Sequence, residues 1–184
     1  MIDLAKVYAT PVSVLGRLAE LGLDPTLLRD SAKFGIGQSL ECTHNDPCYM
    51  RGTLATGKTL RRLRELYLPV GWQRSRDQNY ETVVNPKSGL AITVAAGDAQ
   101  TGRPTRTPCT RSEKGRVTRE AIDRNLQRSF ADLDGAGRKV WEVLDRLIWQ
   151  RDGPARQTWL LLHFWDDQAN EVRLELSMPG EMNE

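Results

Sequence analysis

The run TWLLLHFWDDQANEVRLELSM, residues 158–178, decides the fold. In its second half Val172, Leu174, Leu176 and Met178 alternate with Arg173, Glu175 and Ser177, the period of a strand with one buried and one wet face. Its first half, Trp159 to Trp165, is apolar at nearly every position, as expected of an interior strand covered on both sides. Asp166 to Asn170 between them forms a polar loop of hairpin length. A strand with two buried faces needs helices packed on at least one of them.

The rest of the chain supplies those helices. Thr10-Pro11 is a cap followed by a first-turn proline, and Val14, Leu15, Leu18 and Leu21 follow as one stripe closed by Gly22. Asp24-Pro25 repeats the signal for a short helix through Leu27, Leu28 and Ala32, ending near Gly35, with 35–44 as a connecting loop. Asn45-Asp46-Pro47 starts a third helix that runs to Leu68 and is ended by Pro69 and Gly71. Residues 80–84 and 90–95 read as a second hairpin around Asn85-Pro86-Lys87-Ser88-Gly89. Thr118 caps a further helix, and another follows Asp134 with Val140, Val143, Leu144, Leu147 and Ile148 at helical spacing. The expected architecture is α+β: a mostly antiparallel sheet of about four strands from hairpins 80–96 and 158–178, with helices on one face. Residues 1–40 are expected to form a helical hairpin beside an α+β domain over 41–184, as parts of one structural unit.

At 184 residues the chain has room for a core of its own, so stability requires neither disulfide nor metal. No apolar run approaches a membrane span, and the N-terminus lacks the pattern of a secretory signal. Three cysteines cannot all pair within one chain, and they read as reduced thiols of a cytoplasmic protein. A net charge of +2 does not by itself imply nucleic acid, but arginine dominates the basic residues between Arg51 and Arg128 while the tail after Asp166 is acidic.

Three motifs carry chemistry if their context is right. Gly52 to Thr59, GTLATGKT, fits the phosphate-loop pattern, with Lys58 for the phosphates and Thr59 for magnesium. That site needs a buried strand ending at the first glycine, and the preceding residues supply at best a very short one. Cys42, His44 and Cys48, with distant Cys109, offer zinc ligands at a spacing unlike the usual knuckle. His163 and Asp98 have no recognisable nucleophile or metal partners and read as structural. No cofactor is expected.

Residues 97–117, GDAQTGRPTRTPCTRSEKGRV, lack periodicity and hold Arg103, Arg106, Arg111, Lys114 and Arg116 among glycine, proline and threonine. A loop of this length inside a domain is uncommon and is usually functional or disordered. Its arginines suit phosphates or an acidic protein surface, and Arg61, Arg62 and Arg64 on the third helix extend the same basic character.

Asn45-Asp46-Pro47, Thr59-x-Arg61-x-Leu63-Arg64, Pro69-x-Gly71-Trp72, Ala91-x-x-Val94-Ala95-x-Gly97-Asp98-x-x-Thr101-Gly102, Trp159-x-Leu161-Leu162 and Val172-Arg173-x-Glu175-Leu176-Ser177-x-Pro179 recur together in a recognisable way. Over residues ~40–180 the chain resembles an uncharacterised family of small accessory proteins carried by phages, prophages and conjugative elements. The resemblance supplies no catalytic residues. It implies a non-enzymatic binding protein, with anti-defence (anti-CRISPR-like) inhibition of a host protein or ribonucleoprotein as the leading expectation. Direct nucleic-acid binding through the arginine-rich loop is the alternative, and a nucleotide-dependent enzyme using residues 52–59 is the third. Relatives of this pattern often carry a Gln-Leu-x-Leu-Phe element similar to a sliding-clamp-binding peptide; Gln127-Arg128-Ser129-Phe130 departs from it. Oligomeric state is not legible.

Overall fold

The structure, a computed structural model, describes residues 7–77, 80–104, 109–110, 119–120, 123, 125 and 156–179. Among these are three α-helices, α1 (Pro11–Glu20), α2 (Pro25–Leu40) and α3 (Met50–Tyr67). Five strands, β1 (Gln73–Asp77), β2 (Tyr80–Val84), β3 (Leu90–Ala96), β4 (Gln157–Asp166) and β5 (Glu171–Ser177), form one sheet in the order β1-β2-β3-β4-β5. The α+β class holds. The sheet has five strands rather than four, and β3 and β4 run parallel, so the two expected hairpins join side by side through one parallel pair.

Each hairpin closes as its turn chemistry requires. Asn85 accepts from the Lys87 N–H at 3.0 Å, and Gly89 takes φ +74°. In the other, the Asp166 carboxylate accepts from the Gln168 and Ala169 amides at 3.1 and 3.2 Å. β1, which carries no apolar alternation at all, is strand because it pairs with β2 over its whole length.

One cluster fills the space between helices and sheet. Leu18, Leu23, Leu28, Leu63, Tyr67 and Trp72 meet Val83, Leu90, Ile92, Val94, Trp159 and Leu161, so the first forty residues share a core with the rest of the chain. The Tyr67 hydroxyl accepts from the Asp24 amide at 3.3 Å, tying the start of α2 to the end of α3. The opposite sheet face, with Ala91, Ala95, Leu160 and Leu162, is also closed to solvent, so cover is not confined to one side.

Two helix boundaries depart from the sequence reading. α2 continues through Gly35 to Leu40, because Gly35 is a packing residue and not a stop. A Cβ there would collide with the Thr59 hydroxyl and come within 2.5 Å of the Ala55 carbonyl, so the missing side chain lets α2 lie against α3. α3 begins at Met50 rather than after Asp46. The Asp46 carboxylate instead accepts from the Thr43 N–H at 2.7 Å, closing the turn between the helices.

Candidate functional site

The carboxyl end of β3 leads into a corner built from named groups. Gly97 passes under Thr101, whose fully buried hydroxyl occupies the space a Cβ would need. The Asp98 carboxylate accepts from the Gln100 N–H at 3.0 Å and from the Cys109 N–H at 3.2 Å. The Asp98 N–H donates in turn to the Cys109 carbonyl at 3.1 Å, and Gly97 bridges Thr110. Asp98 and Cys109 thus close the neck of the segment between them.

β5 holds the near side of this segment. Gly102, at φ +72°, runs so close to the strand that a Cβ would lie 3.1 Å from the Leu174 carbonyl. Its N–H donates to the Glu175 carboxylate at 3.0 Å. Arg173 donates to the Ala99 carbonyl at 3.0 Å and to the Asp166 carboxylate at 2.8 Å, with its guanidinium 4.7 Å from the Phe164 ring centre. Hydrogen bonds from Ala169, with Arg173 adding its charge, hold the Asp166 carboxyl below the usual carboxylate range. Arg103 leaves this frame towards solvent, 55% exposed, its guanidinium 4.0 Å from Asp166.

Of the basic residues in this stretch, the structure therefore places Arg103 beside a built frame. Arg106, Arg111, Lys114 and Arg116 lie outside the described residues, as do the expected helices beyond Thr118 apart from the helical positions Arg119, Glu120, Asp123 and Asn125. The α3 arginines are not a free basic face. Arg61 pairs with Glu65 at 2.7 Å, and Arg62 pairs with Asp30 at 2.9 Å. Arg64, 15% exposed, donates to Glu81 at 2.6 Å and to the Thr82 carbonyl at 3.0 Å. It is a tertiary clamp between α3 and the sheet.

The phosphate-loop reading fails on context. Residues 52–59 lie wholly inside α3, where backbone amides serve the helix and cannot cradle an anion. Thr59 is fully buried against Gly35, facing α2 rather than any metal position. The zinc reading fails too: among the described residues no group of three or more His, Cys, Asp or Glu side chains could hold a metal ion. Cys42 and Cys48 flank the α2–α3 turn and Cys109 sits at the loop neck, all as free thiols.

His163 is buried on the helix-facing side of β4, its Nε2 3.1 Å from the Thr56 hydroxyl of α3. Burial pulls its pKa down to about 4, so it stands neutral at neutral pH as a structural group. Two residues escaped the sequence reading. Arg173 looked like one wet position in an alternating strand. Asn125 lies outside every motif, yet its carboxamide accepts from the Thr158 N–H at 2.9 Å and donates to the Thr158 carbonyl at 2.7 Å and the Pro179 carbonyl at 3.3 Å. It stands in for β5 at the position where Pro179 has no N–H to offer.

The chain matches no protein-family model, no curated protein and no solved structure. No helix among the described residues is long and apolar enough to cross a membrane.

Proposed function

We propose that the protein is a non-enzymatic binding protein of a phage or other mobile element, acting in the cytoplasm on an acidic surface of a host protein or ribonucleoprotein. Inhibition of a defence complex is the role we assign to it. The observation that carries this reading is the closed neck at Asp98 and Cys109. A loop whose ends are pinned to a sheet loses less freedom on binding than one hung from open ends, so its charged residues bind at lower entropic cost. The tie of Gly102 and Ala99 to β5 gives Arg103 a rigid base. The alternative of direct nucleic-acid binding is weakened because Arg61, Arg62 and Arg64 already answer Glu65, Asp30 and Glu81.

The test is affinity capture from the host cytoplasm with the full chain and with Arg103→Glu/Arg106→Glu, each captured protein being identified and rebound in purified form. A partner held by the wild type and lost by the variant supports the reading. Equal capture by both overturns the role of the loop. Tight DNA or RNA binding that falls steeply with salt and disappears in the variant replaces it with the nucleic-acid reading.

A further inference from the structure

The corner that leaves β3 is rooted in the sheet, but beyond its root it is held differently. The Gly97 N–H donates to the His163 carbonyl at 2.9 Å and so continues the β3–β4 pairing. Asp98 is fixed next to it through its two bonds with Cys109. From there residues 99–103 reach β5 through side chains. Among the described residues, both of their hydrogen bonds to β5 end on a side chain of that strand. Arg173 donates to the Ala99 carbonyl at 3.0 Å, and Glu175 accepts from the Gly102 N–H at 3.0 Å. Ala99, Gly102 and Arg103 are exposed, and the buried side chain of this stretch is that of Thr101.

The same contact holds two groups that it does not satisfy. The Thr101 hydroxyl is fully buried and makes no hydrogen bond, and the Arg173 Nε is likewise buried without one. A polar group buried in this way has lost its hydration for nothing, and moving the stretch outward returns water to both. Two hydrogen bonds thus work against two unsatisfied groups, whereas Ile92 and Leu161 in the sheet below are fully buried apolar side chains. A contact balanced so finely opens well before the sheet unfolds. Arg103 travels with it, because its N–H donates to the Gln100 carbonyl at 2.9 Å. In the closed position its guanidinium stands 4.0 Å from Asp166, the carboxylate that also takes Arg173 at 2.8 Å.

We propose that residues 99–103 form a strap that opens from β5 as a unit while the sheet stays folded, with Arg173 and Glu175 as its latch. The closed strap is the state that directs Arg103 towards an acidic partner, a use that rests on the function proposed above for this loop. Such a partner draws the strap shut, because it binds the closed state and not the open one. The fraction of chains already closed then scales the apparent affinity. Arg173 and Glu175 are positioning residues in this scheme, acting on the partner through Arg103.

The experiment is native-state hydrogen exchange of the full chain in low urea, read at single amides. No partner is present, so the latch stands or falls apart from the proposed function. The Gly102 amide, bonded to Glu175 across the contact, reports the strap, and the Ile92 and Leu161 amides report global unfolding. Gly102 is expected to be protected, yet to exchange at least about tenfold faster than Ile92 and without its dependence on urea. Arg173→Met keeps a long apolar stem beside Phe164, removes both donated hydrogen bonds and speeds Gly102 exchange by about tenfold. Ile92→Val speeds exchange at Leu161 and leaves Gly102 unchanged, since strap opening does not disturb the core. An unprotected Gly102 in the wild type overturns the latch, as does a Gly102 rate that Arg173→Met does not alter. A Gly102 amide that shares the urea dependence of Ile92, or accelerates with Leu161 in Ile92→Val, overturns separate opening.

Discussion

The Nε2 of the buried His163 lies 3.1 Å from the hydroxyl of the half-buried Thr56, joining the centre of the sheet to the first half of α3. Burial lowers the pKa of this imidazole from 6.5 to about 4. The stability gained by keeping it neutral is therefore complete above the unfolded pKa of 6.5 and is lost as pH falls towards 4. The total loss is about 3 kcal/mol, with no further slope once both states are protonated. Urea midpoints measured from neutral to acid pH will show this loss, and His163→Gln will flatten it. An unchanged slope in the variant would remove His163 as its source.

Gly35 and Gly37 share α2 but make opposite predictions. Gly37 has open space around the position of a Cβ, so Gly37→Ala stabilises by about 1 kcal/mol through helix propensity. Gly35→Ala drives a methyl into Ala55 and Thr59 of α3 and costs about 1–3 kcal/mol despite the same propensity gain. Denaturant titration of both variants decides it, and equal effects would contradict the close helix contact.

Lys58→Ala leaves stability within about 0.5 kcal/mol of wild type, because Lys58 lies within α3 in no ion pair among the described residues. Calorimetry with Mg-ATP will give no heat for either protein. A binding isotherm lost on Lys58→Ala would reinstate the phosphate loop.

Asn125→Ala leaves the buried N–H and C=O of Thr158 without their partner and costs about 2–3 kcal/mol. Asn125→Asp keeps the acceptor for the Thr158 N–H but loses the donor to two carbonyls, and should be no better. Hydrogen exchange read at the Thr158 amide will accelerate in both variants. A protected amide would show that the carboxamide is replaceable.

Much of the architecture was legible wherever apolar spacing was strong. Leu174 and Leu176 alternate cleanly, and Asn85 to Gly89 is rich in breakers, so both hairpins could be placed. β1 could not, because Gln-Arg-Ser-Arg-Asp has no apolar residue to set a period and becomes strand only by pairing with β2. Gly35 read as a helix end because glycine commonly is one, and only the approach of α3 shows why it stays helical. The site was harder to see for a similar reason. Asp98 could be taken for a loop cap from its place after a strand, but its partner Cys109 is 11 residues away. Arg64 resembled its neighbours on a basic helix face until the fold brought Glu81 beneath it.

The parallel pairing of β3 with β4 has a bearing on how the chain is made. Everything from α1 to β3 is local in sequence, yet Leu90 to Ala96 must wait for residues 157–163 before their second row of hydrogen bonds closes. Closing so long a connection costs little more in loop entropy than closing one of half the length, about 0.6 kcal/mol, but it takes place late. During synthesis the most apolar strand of the first half is an open edge, and that interval is when the nascent chain is most exposed to aggregation and to capture by chaperones.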